Sequence, residues 1–292
     1  TNEGKKIYSH LIERGLKEET IKTFNLGYSI DNNQQLLKHF QNQKYTSDAL
    51  LKSGLFIDTK QGYIDRFKGR IIFPIHNATG KTIAFSGRVV KNSKIAKYVN
   101  SPETPIYHKS NVLYGLHESK HHMRTSKCAI VVEGYFDYLQ LFQSGIKNVV
   151  AISGTAFTDK HAQLLKRYTN NIFLAYDGDN AGIAAAIKAG YILLKHGHNP
   201  RIINIPKNTD PDDWVLKKGP EPLIQSIEKA SNIIDFHIQN TPFDINTESG
   251  KFNFIEEALN EVSQIEDPVY RELQIKSLSS ISQISEHSIY EK

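Results

Sequence analysis

The chain has 292 residues, 39% of them hydrophobic, with a mean hydropathy of −0.43, values that read as a soluble globular protein able to bury a sizeable core. No stretch approaches the roughly 20 apolar residues of a membrane helix, and a lone Cys128 excludes an internal disulfide or a cysteine-rich zinc site and suits reducing cytoplasm. The net charge of +5 hides an asymmetry: residues 1–126 carry 20 Lys and Arg against 10 Asp and Glu, and residues 60–109 carry 10 against 2, while the remainder is acidic. One half suits a polyanion and the other suits cations, although basic runs are as often plain solvated faces.

In chain order, residues 5–16 and 33–41 read as short helices. An alternating, glycine-punctuated region follows, from Gly62-Tyr63-Ile64 through 69–75 to 81–90, and Asn77-Ala78-Thr79-Gly80 is the turn of an antiparallel hairpin. Pro102 and Pro105 mark a loop, and the polar stretch 116–127 reads as a boundary. From Cys128 the rhythm becomes strand and helix in alternation. Strands are predicted at 128–133, 148–152, 171–176 and 201–205, with helices at 135–144, 158–168 and 180–195; such repeats imply a parallel sheet. Beyond Asp210-Pro211-Asp212-Asp213 the pattern is helical, over 214–218, 220–239, 250–264 and 267–279.

Two acidic motifs end predicted strands and a third follows one, at the side where open α/β sheets build their sites. Glu133-Gly134-Tyr135-Phe136-Asp137 ends the first. Glu133 there needs a reason to end an apolar strand, whereas Asp137 also reads as an ordinary acid in a first helical turn. Asp177-Gly178-Asp179 ends the third strand; its i, i+2 spacing lets both carboxylates face one side, although Asp179 is equally a helix N-cap. Asp210-Pro211-Asp212-Asp213 follows the fourth and doubles as a polar turn capping a helix. Crowded carboxylates repel unless protons or cations intervene, and hard oxygen donors suit Mg²⁺ and phosphate chemistry. His121-His122 reads as solvated surface.

The Glu-Gly-x-x-Asp and Asp-Gly-Asp-x-Ala-Gly stretches, in βαβ order, resemble the toprim family of metal-binding domains. Upstream, Arg70-Ile71-Ile72-Phe73-Pro74-Ile75, Phe85-Ser86-Gly87-Arg88-Val89, Lys97-Tyr98-Val99-Asn100-Ser101-Pro102-Glu103-Thr104 and Tyr107–Leu116 narrow the resemblance to the DnaG-type bacterial primase, as does Ser153-Gly154-Thr155-Ala156. The similarity runs from about Glu13 to the helices beyond 220. It implies a basic mixed α+β subdomain over 1–126, a toprim-type parallel sheet flanked by helices over 127–215, and a small helical subdomain over 216–292. It implies Glu133, Asp177 and Asp179 as principal ligands of Mg²⁺ (or Mn²⁺), Asp210 and Asp212 as a second cluster, and no zinc in this stretch. Asp213 has no assigned role. Arg14, Arg88, Lys97, Tyr98, Asn100 and Lys109 would contact template or nucleotide phosphates; Tyr98 is either a stacking platform or simple packing.

The implied activity is RNA primer synthesis from NTPs on single-stranded DNA, leaving a primer–DNA hybrid, in the cytoplasm at the replication fork. A toprim nuclease or topoisomerase fragment, or a non-catalytic nucleotide- or nucleic-acid-binding module, are the alternatives. The start lacks Met and the family's zinc-binding Cys/His set, and the chain is expected to stop before a helicase-binding domain. Start-site choice and response to helicase are therefore expected to be weak here, and contacts with helicase and single-strand binding protein are assigned to the full-length protein.

Overall fold

The structure is a computed structural model and describes residues 1–90 and 96–292. Two lysines of the basic stretch, Lys91 and Lys94, lie outside the described residues. The chain divides into two compact units, Thr1–Glu118 and Ser119–Lys292.

In the first unit, α1 (Asn2–Glu13) begins at a Thr1 cap and buries Ile7 and Leu11. Helix α2 (Glu18–Thr23) leads to β1 (Gly27–Ser29), followed by α3 (Gln35–Gln41) and α4 (Ser47–Lys52). The short helices α2 and α4 escape the sequence reading because six residues carry too little periodicity to register. A small hairpin pairs β2 (Phe56–Thr59) with β3 (Gly62–Asp65). The expected hairpin is formed by β4 (Arg70–His76) and β5 (Thr82–Val89), with Asn77 Oδ1 accepting the amides of Thr79 and Lys81 to close the turn. With β6 (Tyr98–Asn100) they make an antiparallel sheet of order β1-β4-β5-β6. A 3₁₀ turn, Lys109–Asn111, precedes α5 (Leu116–Ser126), within which the two units divide. That helix lies where the sequence reading places only a polar boundary.

The second unit is built on β7 (Ala129–Val132), α6 (Tyr135–Gln143), β8 (Val149–Ala151), α7 (Asp159–Leu165), β9 (Asn171–Leu174), α8 (Asn180–Lys195) and β10 (Asn199–Ile202). Strands β10, β9, β7 and β8 are parallel neighbours in that order, as the strand–helix rhythm predicts. Every residue of β7 and β8 is buried, which explains why both read as continuous apolar runs without alternation. Next come α9 (Pro211–Lys218) and α10 (Glu221–Glu228). The single helix expected over 220–239 is interrupted: Ser231–Asn232 forms β11, an antiparallel edge on β10, before α11 (Ile233–Asn240) restarts from an Asn232 cap. Pairing with an open sheet edge outweighs helical continuity there. Helices α12 (Glu248–Val262), α13 (Pro268–Ser282) and α14 (Glu286–Tyr290) complete the unit.

Candidate functional site

The carboxyl ends of β7, β9 and β10 bring the three acidic motifs together. The strand β7 stops at Val132 and Glu133 follows, half-buried, with its Oε1 accepting the Asp177 amide at 3.1 Å. The hydrogen bond fixes the distance between the first and second motifs. The third motif is delivered by a clamp on Gly178, whose amide donates to the Thr209 carbonyl at 2.9 Å while its own carbonyl accepts from Asn208 at 2.9 Å. A Cβ on Gly178 would lie 2.2 Å from the Pro206 carbonyl oxygen, and one on Gly182 would lie 2.2 Å from that of Asp177. Both glycines are thus required by close backbone approach.

Burial and mutual repulsion set the electrostatics. Burial raises the Glu133 pKa, helped by the charges of Asp179 and Asp210 and opposed by the Asp177 amide. Burial, then Glu133, Asp210, Asp179 and Asp212, push Asp177 up to about 7. All five sequence-predicted acids therefore lie within one electrostatic field. They are not equally committed to the protein. Asp179 caps α8, its Oδ1 accepting Gly182 N at 2.7 Å, and Asp212 Oδ1 accepts Asp213 N at 2.8 Å. Asp210 sits at the N-cap of α9 without spending its carboxylate on the cap. Asp177 Oδ1 is buried without a hydrogen-bond partner. Among the described residues no three His, Cys, Asp or Glu side chains close into a ready metal cage. The donor set, all hard oxygens with one buried carboxylate oxygen unpaired, nevertheless fits a divalent cation.

Asp137 has a structural role. It is 7% exposed, and its Oδ2 accepts Gly134 N at 2.8 Å while its Oδ1 accepts Asp212 N at 3.2 Å, so one carboxyl braces the starts of α6 and α9. Its pKa is raised well above the ordinary range by burial and the nearby Asp212. The bond to α9 spans 75 residues, and nothing local in the sequence announces it. Asp213, left without a role by the sequence, makes an exposed pair with Lys217 at 2.8 Å.

In the first unit, Arg88 on β5 pairs across the sheet with Tyr98 on β6, and Ser86 pairs with Asn100, so Arg88, Tyr98 and Asn100 share one face. The Arg88 guanidinium lies 5.8 Å from the Tyr98 ring centroid, and Tyr98 also packs against Phe73 at 6.3 Å. Tyr98 thus has one ring neighbour in the sheet and a cation beside it. Arg14 follows α1, and with Arg88 it depresses the pKa of His10, after burial. His10 is a neighbour the sequence reading missed, because a lone histidine in a helix carries no motif. Lys97 is exposed. Lys109 opens the 3₁₀ turn, its amide donating to Glu103 Oε1 at 2.9 Å, and its amine pKa is lowered by burial. Arg70 is a second omission: its Nη1 donates to the carbonyls of Gly87, Ala96 and Lys97, holding the approach to β6.

Comparison with known proteins agrees along the chain. Residues 1–120 match the family "DNA primase catalytic core, N-terminal domain", residues 130–215 match "Toprim-like", and residues 242–287 match "DnaB-helicase binding domain of primase". The last match corrects the expectation that the chain stops before a helicase-binding stretch; its helices were legible, but their ordinary composition gave no local signature of a partner. The DNA primase of Clostridium acetobutylicum is 38% identical over 288 residues, covering 98% of this chain and 48% of that protein. The chain thus spans about half the length of the curated relatives it matches. Among solved structures, a DNA primase domain from Pseudomonas aeruginosa superposes with a TM-score of 0.87 at 34% identity, covering 97% of this chain and 90% of that one. The DnaG primase catalytic domain bound to single-stranded DNA gives a TM-score of 0.82 at 35% identity, covering 94% and 90%.

Proposed function

The chain belongs to the catalytic-core family of DnaG-type bacterial primases, and from that premise we propose that it joins NTPs into short RNA primers on a single-stranded DNA template, at the replication fork in the cytoplasm. The observation that carries the proposal is the cluster of five acids beyond adjacent strand ends, in which burial and the neighbouring carboxylates raise the proton affinity of Glu133 and Asp177. Glu133, Asp177 and Asp179 would hold Mg²⁺, or Mn²⁺ in its place, with Asp210 and Asp212 alongside. A divalent cation bound there supplies positive charge to the nucleotide phosphates and acidifies the attacking 3′-hydroxyl.

The chain's own residues do the positioning. The Asp177 amide orients Glu133, and the Gly178 clamp holds Asp210 beside the second motif. Arg14, Arg88, Lys97, Asn100 and Lys109 would meet template or nucleotide phosphates, and the Tyr98 ring would offer a base a stacking face. Contacts to phosphates carry no sequence, so binding through this face would be indifferent to template sequence. The test is primer synthesis from NTPs on single-stranded DNA with Mg²⁺. Asp179→Ala lowers the rate by at least roughly a hundredfold, the scale of one lost preorganised charge contact, while single-strand binding persists. Near-parental synthesis by that variant refutes the acid-cluster assignment.

Residues 242–287 would engage the replicative helicase. On α13, Val269 and Leu273 are 68% and 50% exposed and lie one turn apart on the same face. Leu273→Glu should weaken helicase binding roughly tenfold in a titration and leave template binding unchanged. Unchanged helicase affinity moves the contact to another face.

A further inference from the structure

A cavity of about 280 Å³ lies beside the Asp177-Gly178 turn, lined by α8, α11 and the chain leaving β10. Its volume sits near the lower end of small-molecule sites, roughly 300 Å³, so it suits one compact ring system. On the α8 side Gly182 and Ala186, four residues apart, bring almost no side chain to the wall, which is therefore flat. Opposite stand Ile202 and the ring of Phe236, both buried. Flat, apolar walls of this kind favour a planar ring over a branched aliphatic ligand.

The polar groups are of one kind. Asn204, Gln239 and Asn240, all exposed, border the cavity with side-chain amides; Asn240 Nδ2 donates one hydrogen to the Phe236 carbonyl at 2.8 Å and Asn204 Nδ2 one to Ser231 Oγ at 3.5 Å, which leaves each a donor hydrogen and an acceptor oxygen for a ligand. No lysine or arginine lines the cavity, and its only charged lining residue is Asp177. That composition disfavours a phosphate and favours a neutral ring edged with both donors and acceptors, the pattern of a nucleobase. Tyr176, at the floor and 3% exposed, has a hydroxyl with no hydrogen-bond partner. A buried hydroxyl in that state costs stability unless a ligand or water satisfies it.

We infer that this cavity binds an uncharged nitrogen heterocycle of nucleobase size, as a free base or nucleoside, with the amides of Asn204, Gln239 and Asn240 reading its edge. The inference goes beyond primer synthesis: it adds a second, phosphate-independent ligand site to the same unit. Binding is measured by calorimetry and amide NMR shifts in the absence of template and divalent cation, so its outcome is separate from that of the primer-synthesis assay. The probes are adenosine, guanosine, cytidine and uridine, each against its 5′-triphosphate. At least one nucleoside binds with a dissociation constant below about 1 mM and shifts the amides of Ile183, Asn204 and Gln239. Its triphosphate binds no more tightly without divalent cation, because Asp177 borders the site. Ile183→Trp fills the cavity from a half-exposed position that the fold tolerates, and weakens binding at least tenfold; Gln239→Leu, on the exposed end of α11, weakens it severalfold. Absence of binding by all four nucleosides at 10 mM overturns the inference. So does parental affinity in Ile183→Trp, or amide shifts confined to Glu133 and Asp210.

Discussion

Asp177 concentrates the cost of building this site. Its carboxyl is pushed from an ordinary 3.8 up to about 7 by burial and by Glu133, Asp210, Asp179 and Asp212. A folded-state pKa above the unfolded value means the native state holds more protons between those limits. The group therefore favours folding most below pH 4, and that contribution is lost as pH rises through about 7. Asp177→Asn should accordingly raise the melting temperature at pH 8 without divalent cation, by the equivalent of about 1 kcal/mol after solvent screening, and should change nothing at pH 4. Thermal melts at both pH values check this, and an equal or lower melting temperature at pH 8 contradicts it. Divalent cation should reverse the order, because the parent carboxylate then gains a counter-charge. Asp137 shows the opposite economy: its carboxyl is more deeply buried, yet both oxygens are spent on backbone amides, so it braces the site from behind.

The elements explain why acids so distant in sequence meet. Parallel pairing of β7 with β9 and β9 with β10 aligns three carboxyl ends on one edge. The Asp177–Asp179 turn then bonds to the 208–209 backbone, and α8 starts so close to that turn that Gly182 admits no side chain. Gly178→Ala must push the 206–209 segment away by more than an ångström. It should cut primer synthesis at least roughly tenfold with the global fold kept, since small displacements of catalytic groups are costly. Circular dichroism and the primer assay together read this, and full activity would mean the clamp is dispensable. Farther from the site, Tyr191 of α8 bonds His237 of α11 at 2.8 Å, and the His237 ring packs on Phe254 of α12 at 5.0 Å. This buried contact ties α12 through α11 to α8 within the second unit.

At the scale of the whole chain the charge asymmetry separates two tasks, with the basic excess in the first unit and the acidic cluster in the second. Arg88→Ala and Lys97→Ala should each weaken single-stranded DNA binding and make its salt dependence shallower by about 0.7 in the log–log slope, with cation affinity at the acid cluster unchanged. Salt titrations with parental slopes would reduce both residues to a solvated basic face. Among the described residues no helix is long and apolar enough to cross a membrane.

The parallel sheet, the acids that follow three of its strands and the β4–β5 hairpin were legible in the sequence, because apolar runs, turn residues and clustered carboxylates are local signals. Glu133 and the Asp177–Asp179 pair stood out for the same reason. Tertiary structure alone decided the rest. The bond from Asp137 to the start of α9 and the pairing of β11 with β10 join segments whose own residues are indifferent to the outcome. Likewise His10 beside Arg14 and Arg88, and the Gly178 clamp that draws Asp210 to Asp177, depend on chain packing over long separations. Local propensity specifies where elements begin and what chemistry they carry. Which carboxylate is spent on a cap, which is braced and which is left buried and unpaired depends on backbone groups that arrive from elsewhere in the fold.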